Sequence, residues 1–209
     1  MLFDSLRKFA IAALGLALFC SSPVPAEDSV SSGAVSSADK TIIVYFSRAG
    51  ENYKVGIVER GNTELMAEMI AQKTGARTFR IEPVKAYSEN YKECTEQANE
   101  ELQNRSRPEI KKDIELESYT TIFLGYPIWW GDMPMPVYTF LEKHDFAGKT
   151  IIPFNTHEGS GQGVTVQRLK ETTKADVLDG IAVRGSDVRN NPASTAANIN
   201  AWLNKLGYK

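Results

Sequence analysis

The sequence predicts an α/β domain: a five-stranded parallel sheet with helices on both faces. Three observations support this prediction. Short apolar segments alternate five times with segments of helical periodicity, the pattern of a parallel sheet with right-handed crossovers. The first strand-like run is apolar without clean alternation, as strands covered on both faces are. The 209 residues, 42% of them hydrophobic, suffice for one substantial core.

The first half of the domain supplies three strands and two helices. Residues 40–47, KTIIVYFS, predict the first strand because β-branched and aromatic side chains fill the run. Residues 62–75 predict a helix, since apolar residues recur at helical spacing until a closing glycine. Residues 77–83 alternate apolar side chains, which predicts the second strand. A polar helix over 88–104 precedes the third strand, predicted over 120–125 from the run TTIFLG.

The second half repeats the alternation. Residues 135–143 predict a helix with its apolar residues on one face. The fourth strand is predicted over 150–154 and a helix over 163–173. The fifth strand is predicted over 177–183, and a closing helix over 193–206 carries aliphatic and aromatic residues on one side.

Three loops follow strands at one edge of this sheet, where ligands of such folds bind. The first, SRAG followed later by GNT, brings small and hydroxyl residues to a helix start, which suits a phosphate or a simple helix cap. The second, GYPIWWGDMPMP, carries two adjacent tryptophans. The third, NTHEGSGQG, is rich in glycine and short polar side chains. Together the loops predict a site for a phosphate and a flat ring with polar edges.

The four motifs YFSRAG, GNTE, GYPIWWG and PFNTHEGSG, in this order, resemble the flavodoxin family over residues 40–207. The resemblance implies a flavodoxin-like sheet of strand order 2-1-3-4-5, non-covalent binding of FMN and electron transfer, with no catalytic side chain and no metal. The positions that match the cofactor loops of the family are Ser47, Ala49, Asn62 and Thr63 in the first, Pro127, Ile128, Trp129, Trp130 and Gly131 in the second, and Thr156, His157, Glu158, Gly159, Ser160 and Gly161 in the third.

Two departures from the family pattern affect the first loop. Residues 51–60, ENYKVGIVER, separate SRAG from GNT, so this insertion either bulges out or reshapes the phosphate site. Ala49 also lacks the hydroxyl that the family places there. Arg48 or Tyr53 could supply the missing phosphate contact, and Arg48 is equally well explained as a solvated surface residue.

The adjacent tryptophans, Trp129 and Trp130, are expected to differ in role. Neighbouring residues of an extended segment face opposite ways, so we expect one indole to contact the flavin ring and the other to pack inward. Stacking of an aromatic side chain on a nucleobase is worth about 1–3 kcal/mol, and a flavin ring offers at least as much surface.

Three functions are compatible with these motifs. The first is an electron carrier that serves a redox partner protein or a small electron acceptor. In it, Glu158 and Asp132 would add negative charge near the ring, and His157 would offset that charge if protonated. The second is an FMN-dependent NAD(P)H:quinone-type reductase in which His157 or Tyr126 orients the substrate; the absence of a G-x-G-x-x-G after any strand favours the carrier. The third is a non-redox binding module that has lost the cofactor.

The N-terminal residues 1–26 have the three parts of a secretory signal peptide. Arg7 and Lys8 precede the apolar run 9–19, and small residues lead to a cleavage site after Ala26. The apolar run is too short for a permanent membrane anchor, which takes about 20 residues. The protein is therefore expected to be exported to the periplasm or the medium.

The residues after the signal-like segment predict a linker followed by one domain. Residues 27–39 are Ser-rich and predict a flexible linker, which leaves 40–209 as the domain. A lipid anchor at Cys20 is the alternative to cleavage, and the membrane is expected to be contacted only through these N-terminal features. Cys94 is predicted to be a small packed residue. The net charge of −2 gives no indication of nucleic-acid binding.

Overall fold

The computed structural model describes residues 38–208, so the predicted signal peptide, Cys20 and nearly all of the predicted linker lie outside the described residues. The strands are β1 (Thr41–Tyr45), β2 (Gly50–Asn52), β3 (Gly56–Val58), β4 (Arg77–Arg80), β5 (Thr121–Pro127), β6 (Thr150–His157), β7 (Asp176–Val177) and β8 (Ile181–Arg184). The helices are α1 (Asn62–Thr74), α2 (Tyr91–Gln103), α3 (Met135–Lys143), α4 (Thr165–Thr173), α5 (Gly185–Asn190) and α6 (Pro192–Lys205). Within these residues no helix has both the length and the apolar character needed to cross a bilayer.

The main sheet has the order β4-β1-β5-β6-β7, with β8 also paired to β6, and every pair in it is parallel. This confirms the predicted fold class and strand order. The predicted fifth strand is divided in two: β7 pairs with the start of β6, and β8 with its end. Pro153 of β6 has no N–H to donate and lies at the division. Opposite it, Gly180 approaches so closely that a Cβ would lie 2.3 Å from the Pro153 carbonyl oxygen.

Helices cover both faces of the sheet, as the apolar strands predict. On one face α1 and α6 pack Met66, Ile70, Ile199 and Leu203 against the strands. On the other face α2, α3 and α4 pack on a second cluster that includes Phe140. Each fully buried aliphatic or aromatic side chain contributes about 1.5–3 kcal/mol to folding. The core therefore fixes the sheet, and the sheet fixes the loops at its carboxyl edge.

Three more features differ from the sequence prediction. The insertion forms a β-hairpin, β2 and β3, which pair antiparallel with each other and not with the main sheet. A short helix, α5, follows β8. Helix α2 begins at Tyr91 and not at residue 88, because the Asn90 side chain caps it by accepting a hydrogen bond from the Glu93 N–H. Helix α1 ends at Thr74, and Gly75, with a φ of 70°, forms its left-handed C-cap, as predicted.

Candidate functional site

A cavity of about 290 Å³ lies at the carboxyl ends of β1, β5 and β6, the edge where the sequence places the three loops. Its volume is near the lower end of the range for small-molecule sites, roughly 300–1,000 Å³. Predicted residues that line it are Ser47, Arg48, Asn62, Thr63, Pro127, Ile128, Trp129, Trp130, Thr156, His157 and Glu158. The structure therefore brings all three predicted loops to one cavity.

One end of the cavity is built from Ser47 and the start of α1. The Ser47 hydroxyl accepts a hydrogen bond of 3.1 Å from the Glu64 N–H. A Cβ on Gly61 would lie 2.1 Å from Ser47 Oγ, so only glycine permits this close approach. The first-turn N–H groups, those of Asn62 and Thr63 among them, have no acceptor within the helix and lie at its positive dipole end. The two halves of the interrupted loop thus meet in space, and their donors suit a phosphate.

Arg48 has a role that neither sequence interpretation anticipated. Its guanidinium donates hydrogen bonds to the backbone carbonyl oxygens of Glu51 (2.6 Å), Ser88 (2.5 and 3.0 Å) and Asn90 (3.3 Å). These acceptors belong to the inserted hairpin and to the segment that leads into α2. Arg48 therefore lines the cavity while its N–H donors join the insertion to α2.

The inserted hairpin forms a wall of the cavity together with α2. The Glu51 N–H donates to the Glu89 carbonyl (2.8 Å), and the Glu51 carboxylate accepts from the Tyr91 N–H (3.0 Å). The Tyr53 ring stacks on Tyr91, with 6.0 Å between centroids and 23° between planes. Beyond Tyr53, the cavity residues that the sequence prediction missed are Asn52, Tyr91, Cys94, Thr95, Ala98 and Gly185.

The helix residues in this wall resemble an ordinary core stripe in sequence. Cys94 and Ala98 are one helical turn apart and are both buried, which confirms the packed role predicted for Cys94. Burial of the Cys94 thiol raises its pKa to about 11, so the thiol stays protonated at neutral pH. The only sequence signal for this wall is a pair of tyrosines in polar surroundings: Tyr53 in the insertion and Tyr91 at the start of α2.

The tryptophan loop is a tight turn closed by two hydrogen bonds between the Trp129 and Asp132 backbones, of 2.9 and 3.0 Å. Its central residues, Trp130 (φ 52°) and Gly131 (φ 80°), both have positive φ, as a type I′ turn requires. Such a φ is uncommon for a bulky side chain.

This turn directs the two indoles differently. Trp129 packs edge-on against Phe46 (5.4 Å between centroids) and Tyr87 (4.9 Å). Trp130 is 59% exposed, and its Nε1–H donates to the Thr95 carbonyl (3.0 Å). One indole packs inward, as predicted, although a turn and not an extended strand separates them. Both indoles line the cavity, and Trp130 is the more exposed of the two.

The third loop is held by its own backbone and by α5. The hydroxyls of Thr156 and Thr63 are hydrogen bonded (2.8 Å). His157 Nδ1 lies 2.8 Å from the Gly159 N and 3.1 Å from the Gly161 N. The Glu158 carboxylate accepts from the Ser186 N–H (2.6 Å) and hydroxyl (2.9 Å), so its charge is engaged at the start of α5. 

The remaining predicted residues lie outside the cavity lining. These are Ala49, Gly131, Gly159, Ser160 and Gly161. Glycines among them shape the loops instead: the Gly131 carbonyl accepts from the Val164 N–H (3.0 Å), and a Cβ on Gly163 would lie 2.0 Å from that carbonyl oxygen. The second and third loops are therefore in direct contact.

Two further sequence interpretations need correction. Tyr126 is fully buried, and its hydroxyl donates to Thr165 Oγ1 (3.0 Å), so it is not placed to orient a substrate in the cavity. The Asp132 carboxylate is also buried, and it accepts from the Met133 N–H (2.7 Å) and the Tyr138 hydroxyl (2.9 Å). Asp132 therefore stabilises the turn instead of lining the site.

Comparison with known structures shows which proteins share this fold. The fold is similar to a protein provisionally named a flavoprotein from Bacteroides eggerthii DSM 20697, at 28% identity and a TM-score of 0.64, covering 81% of this chain and 99% of that one. A similarly named protein from Bacteroides uniformis ATCC 8492 matches at 25% identity and a TM-score of 0.63, covering 80% and 99% of the two chains.

A flavoprotein from Lactobacillus acidophilus NCFM, solved in complex with FMN, shares the fold at 23% identity and a TM-score of 0.54, covering 72% of this chain and 97% of that one. No curated protein sequence matches the chain. The family model described as flavodoxin matches residues 40–206, almost the whole of the predicted domain. The chain therefore belongs to the flavodoxin family.

Proposed function

We propose that this protein binds FMN in the cavity at the carboxyl edge of the sheet and transfers electrons outside the cytoplasm. Family membership supports FMN as the cofactor. The observation that carries the proposal is one cavity with phosphate-type donors at Ser47 and the start of α1, and aromatic surface at Trp129 and Trp130. A ligand with a phosphate and a flat ring satisfies both parts.

When bound, the flavin ring supplies the redox chemistry, and the protein supplies binding and orientation. Ser47 and the first turn of α1 would bind the phosphate. Trp130 would cover one side of the ring, and the wall of Tyr53 and Tyr91 would limit the access of water. Glu158 contributes negative charge at the third loop, which disfavours further negative charge on a nearby ligand.

A flavin titration tests the binding step. Residues 27–209 are purified, and binding is followed by the change in the visible absorption of FMN and by quenching of its fluorescence. Riboflavin, which has the same ring without the phosphate, is the matched ligand control. We expect FMN to bind at least tenfold more tightly than riboflavin, since each charge-assisted hydrogen bond to phosphate contributes about 1.5–3 kcal/mol. Equal affinities would contradict the phosphate assignment, and no binding of either would favour a non-redox binding module.

A second candidate function, an FMN-dependent reductase of a small planar acceptor such as a quinone, is favoured by the wall that the insertion adds. Tyr53, Tyr91 and the α2 residues enclose the cavity on a side that the three family loops leave to other elements. Steady turnover of NADH or NADPH with a quinone as the sole acceptor would establish the reductase. Reduction of the bound flavin without such turnover would favour the carrier.

Export is the remaining part of the proposal, and it is supported by the signal-like residues 1–26. Cell fractionation of the full chain tests it. Recovery from the periplasm or the medium with a new N-terminus at Glu27 is the expected result. Retention in a membrane fraction that Cys20→Ala abolishes would indicate the lipid anchor instead.

A further inference from the structure

His157 is held by the backbone of its own loop in one protonation state. Its Nδ1 lies 2.8 Å from the Gly159 N and 3.1 Å from the Gly161 N. Both partners are backbone N–H groups, which can only donate. Nδ1 must therefore accept, and a proton on it would cost both hydrogen bonds. In a neutral imidazole the proton is then on Nε2, at the opposite side of the ring.

The surroundings of His157 also favour the uncharged ring. Burial lowers the pKa of His157, and the Arg184 guanidinium on the neighbouring strand β8 lowers it further. Glu158 and Asp187 act in the opposite direction and are smaller effects.

The second ring nitrogen is left for a ligand. His157 lines the cavity, and among residues 38–208 Nε2 forms no hydrogen bond. A polar N–H at the edge of a binding cavity gains from an acceptor that the ligand brings. Since Nδ1 is fixed to the loop, the position of Nε2–H is fixed with it.

We propose that His157 is a fixed, uncharged hydrogen-bond donor whose Nε2–H contacts an acceptor on the edge of the flavin ring, a carbonyl oxygen or a ring nitrogen. The contact with the ring rests on the proposed binding of FMN, whereas the protonation state of the imidazole does not. The site would then recognise the polar edge of the ring without placing a positive charge beside it. His157 is a ligand-contacting residue in this proposal, and it transfers no proton.

Nitrogen-15 NMR of the ligand-free protein tests the state of the ring. The chain has two histidines, so His144→Gln suffices to assign the His157 signals. At about pH 6.5, where an unperturbed histidine is half protonated, we expect the cross-peak pattern of the neutral Nε2–H form. A pattern of the Nδ1–H form, or of an imidazolium, would overturn the proposal whether or not FMN binds.

Addition of FMN tests the contact. We expect the Nε2 signal of His157 to shift together with other cavity signals. If those signals shift and Nε2 does not, the contact is refuted while FMN binding stands. If no cavity signal responds, the proposed function fails and the flavin contact fails with it, and the ligand-free spectrum still reports the ring state separately.

Two variants separate the donor from the loop. The His157→Asn side chain places an acceptor near the position of Nδ1 and removes the Nε2–H, whereas His157→Gln places an amide N–H near the position of Nε2. We expect His157→Asn to weaken FMN binding about three- to tenfold, the range that one uncharged hydrogen bond supplies. His157→Gln should restore most of that loss. Unchanged affinity in His157→Asn, with slow exchange of the Gly159 and Gly161 amides showing an intact loop, would overturn the proposal.

Discussion

Replacement of Trp130 by asparagine should separate stability from ligand binding. At φ 52° a bulky residue costs about 1–2 kcal/mol, whereas asparagine tolerates the left-handed region. The indole is 59% exposed, so little buried area is lost, and its hydrogen bond to the Thr95 carbonyl contributes about 0.5–1.5 kcal/mol. These effects oppose each other, so we expect the free energy of unfolding to stay within about 1 kcal/mol of the parent protein.

The affinity for FMN should respond much more strongly. Loss of aromatic stacking costs about 1–3 kcal/mol, which corresponds to a five- to 150-fold weaker Kd. Trp129→Ala is the matched control, because that indole packs between Phe46 and Tyr87. Truncation of a buried tryptophan costs about 3–5 kcal/mol, and the partly buried Trp129 should lose about 2–4 kcal/mol of stability.

The assay is urea unfolding of both variants together with FMN titration by fluorescence quenching. We expect weak binding with near-normal stability for Trp130→Asn, and a clear loss of stability for Trp129→Ala. If Trp130→Asn unfolds as easily as Trp129→Ala, relief of backbone strain at φ 52° does not offset the lost contacts of the indole. If it binds FMN as tightly as the parent, Trp130 does not contact the ring.

Three further predictions concern the other walls of the cavity. Glu158→Gln should lower the free energy of unfolding, measured by urea denaturation, by about 1–2 kcal/mol, because a charged acceptor of the Ser186 N–H becomes neutral. Ser186→Ala should also destabilise the protein, and the double variant should lose less than the sum of the two single losses; additive losses would contradict the pairing. Tyr53→Ser should remove the stack on Tyr91 and speed amide exchange in the hairpin while the sheet amides stay protected; uniform exchange throughout would contradict a local role. The pKa of His157 is lowered in the folded protein, so its contribution to stability is complete above about pH 6.5 and is lost as the pH falls towards the folded pKa. His157→Asn should therefore make the free energy of unfolding depend less on pH in that window. An unchanged pH dependence would contradict this.

The elements of the main sheet could be predicted because each has a strong local pattern. Residues 40–47 and 62–75 show runs that tertiary contacts did not override, and their structures, β1 and α1, lie within one or two residues of the prediction at most ends. The hairpin β2–β3 has strands of three residues, too short for any periodicity, and its turn has Lys54 at φ 63° where a glycine would have signalled it. The six-residue helix α5 is likewise too short for a pattern.

The candidate site, too, could be predicted from the sequence only in part. The three loops could be placed together because parallel topology brings the carboxyl ends of neighbouring strands to one edge. The α2 wall could not, since Cys94 and Ala98 have the spacing of any buried helix face, and only the tertiary structure shows that this face also borders a cavity. The role of Arg48 was equally inaccessible, because its acceptors are backbone carbonyls up to 42 positions away.

The tethered hairpin has a consequence for the speed of ligand exchange. Arg48, Glu51 and Tyr53 join the insertion to the start of α2, so this side of the cavity is a tethered wall and not a free loop. Obstruction by a fixed wall slows entry and departure together, which leaves Kd unchanged by that part of the effect. A ligand held behind such a wall would bind slowly and dissociate slowly, so its half-life in the complex would exceed that of an open site with the same Kd.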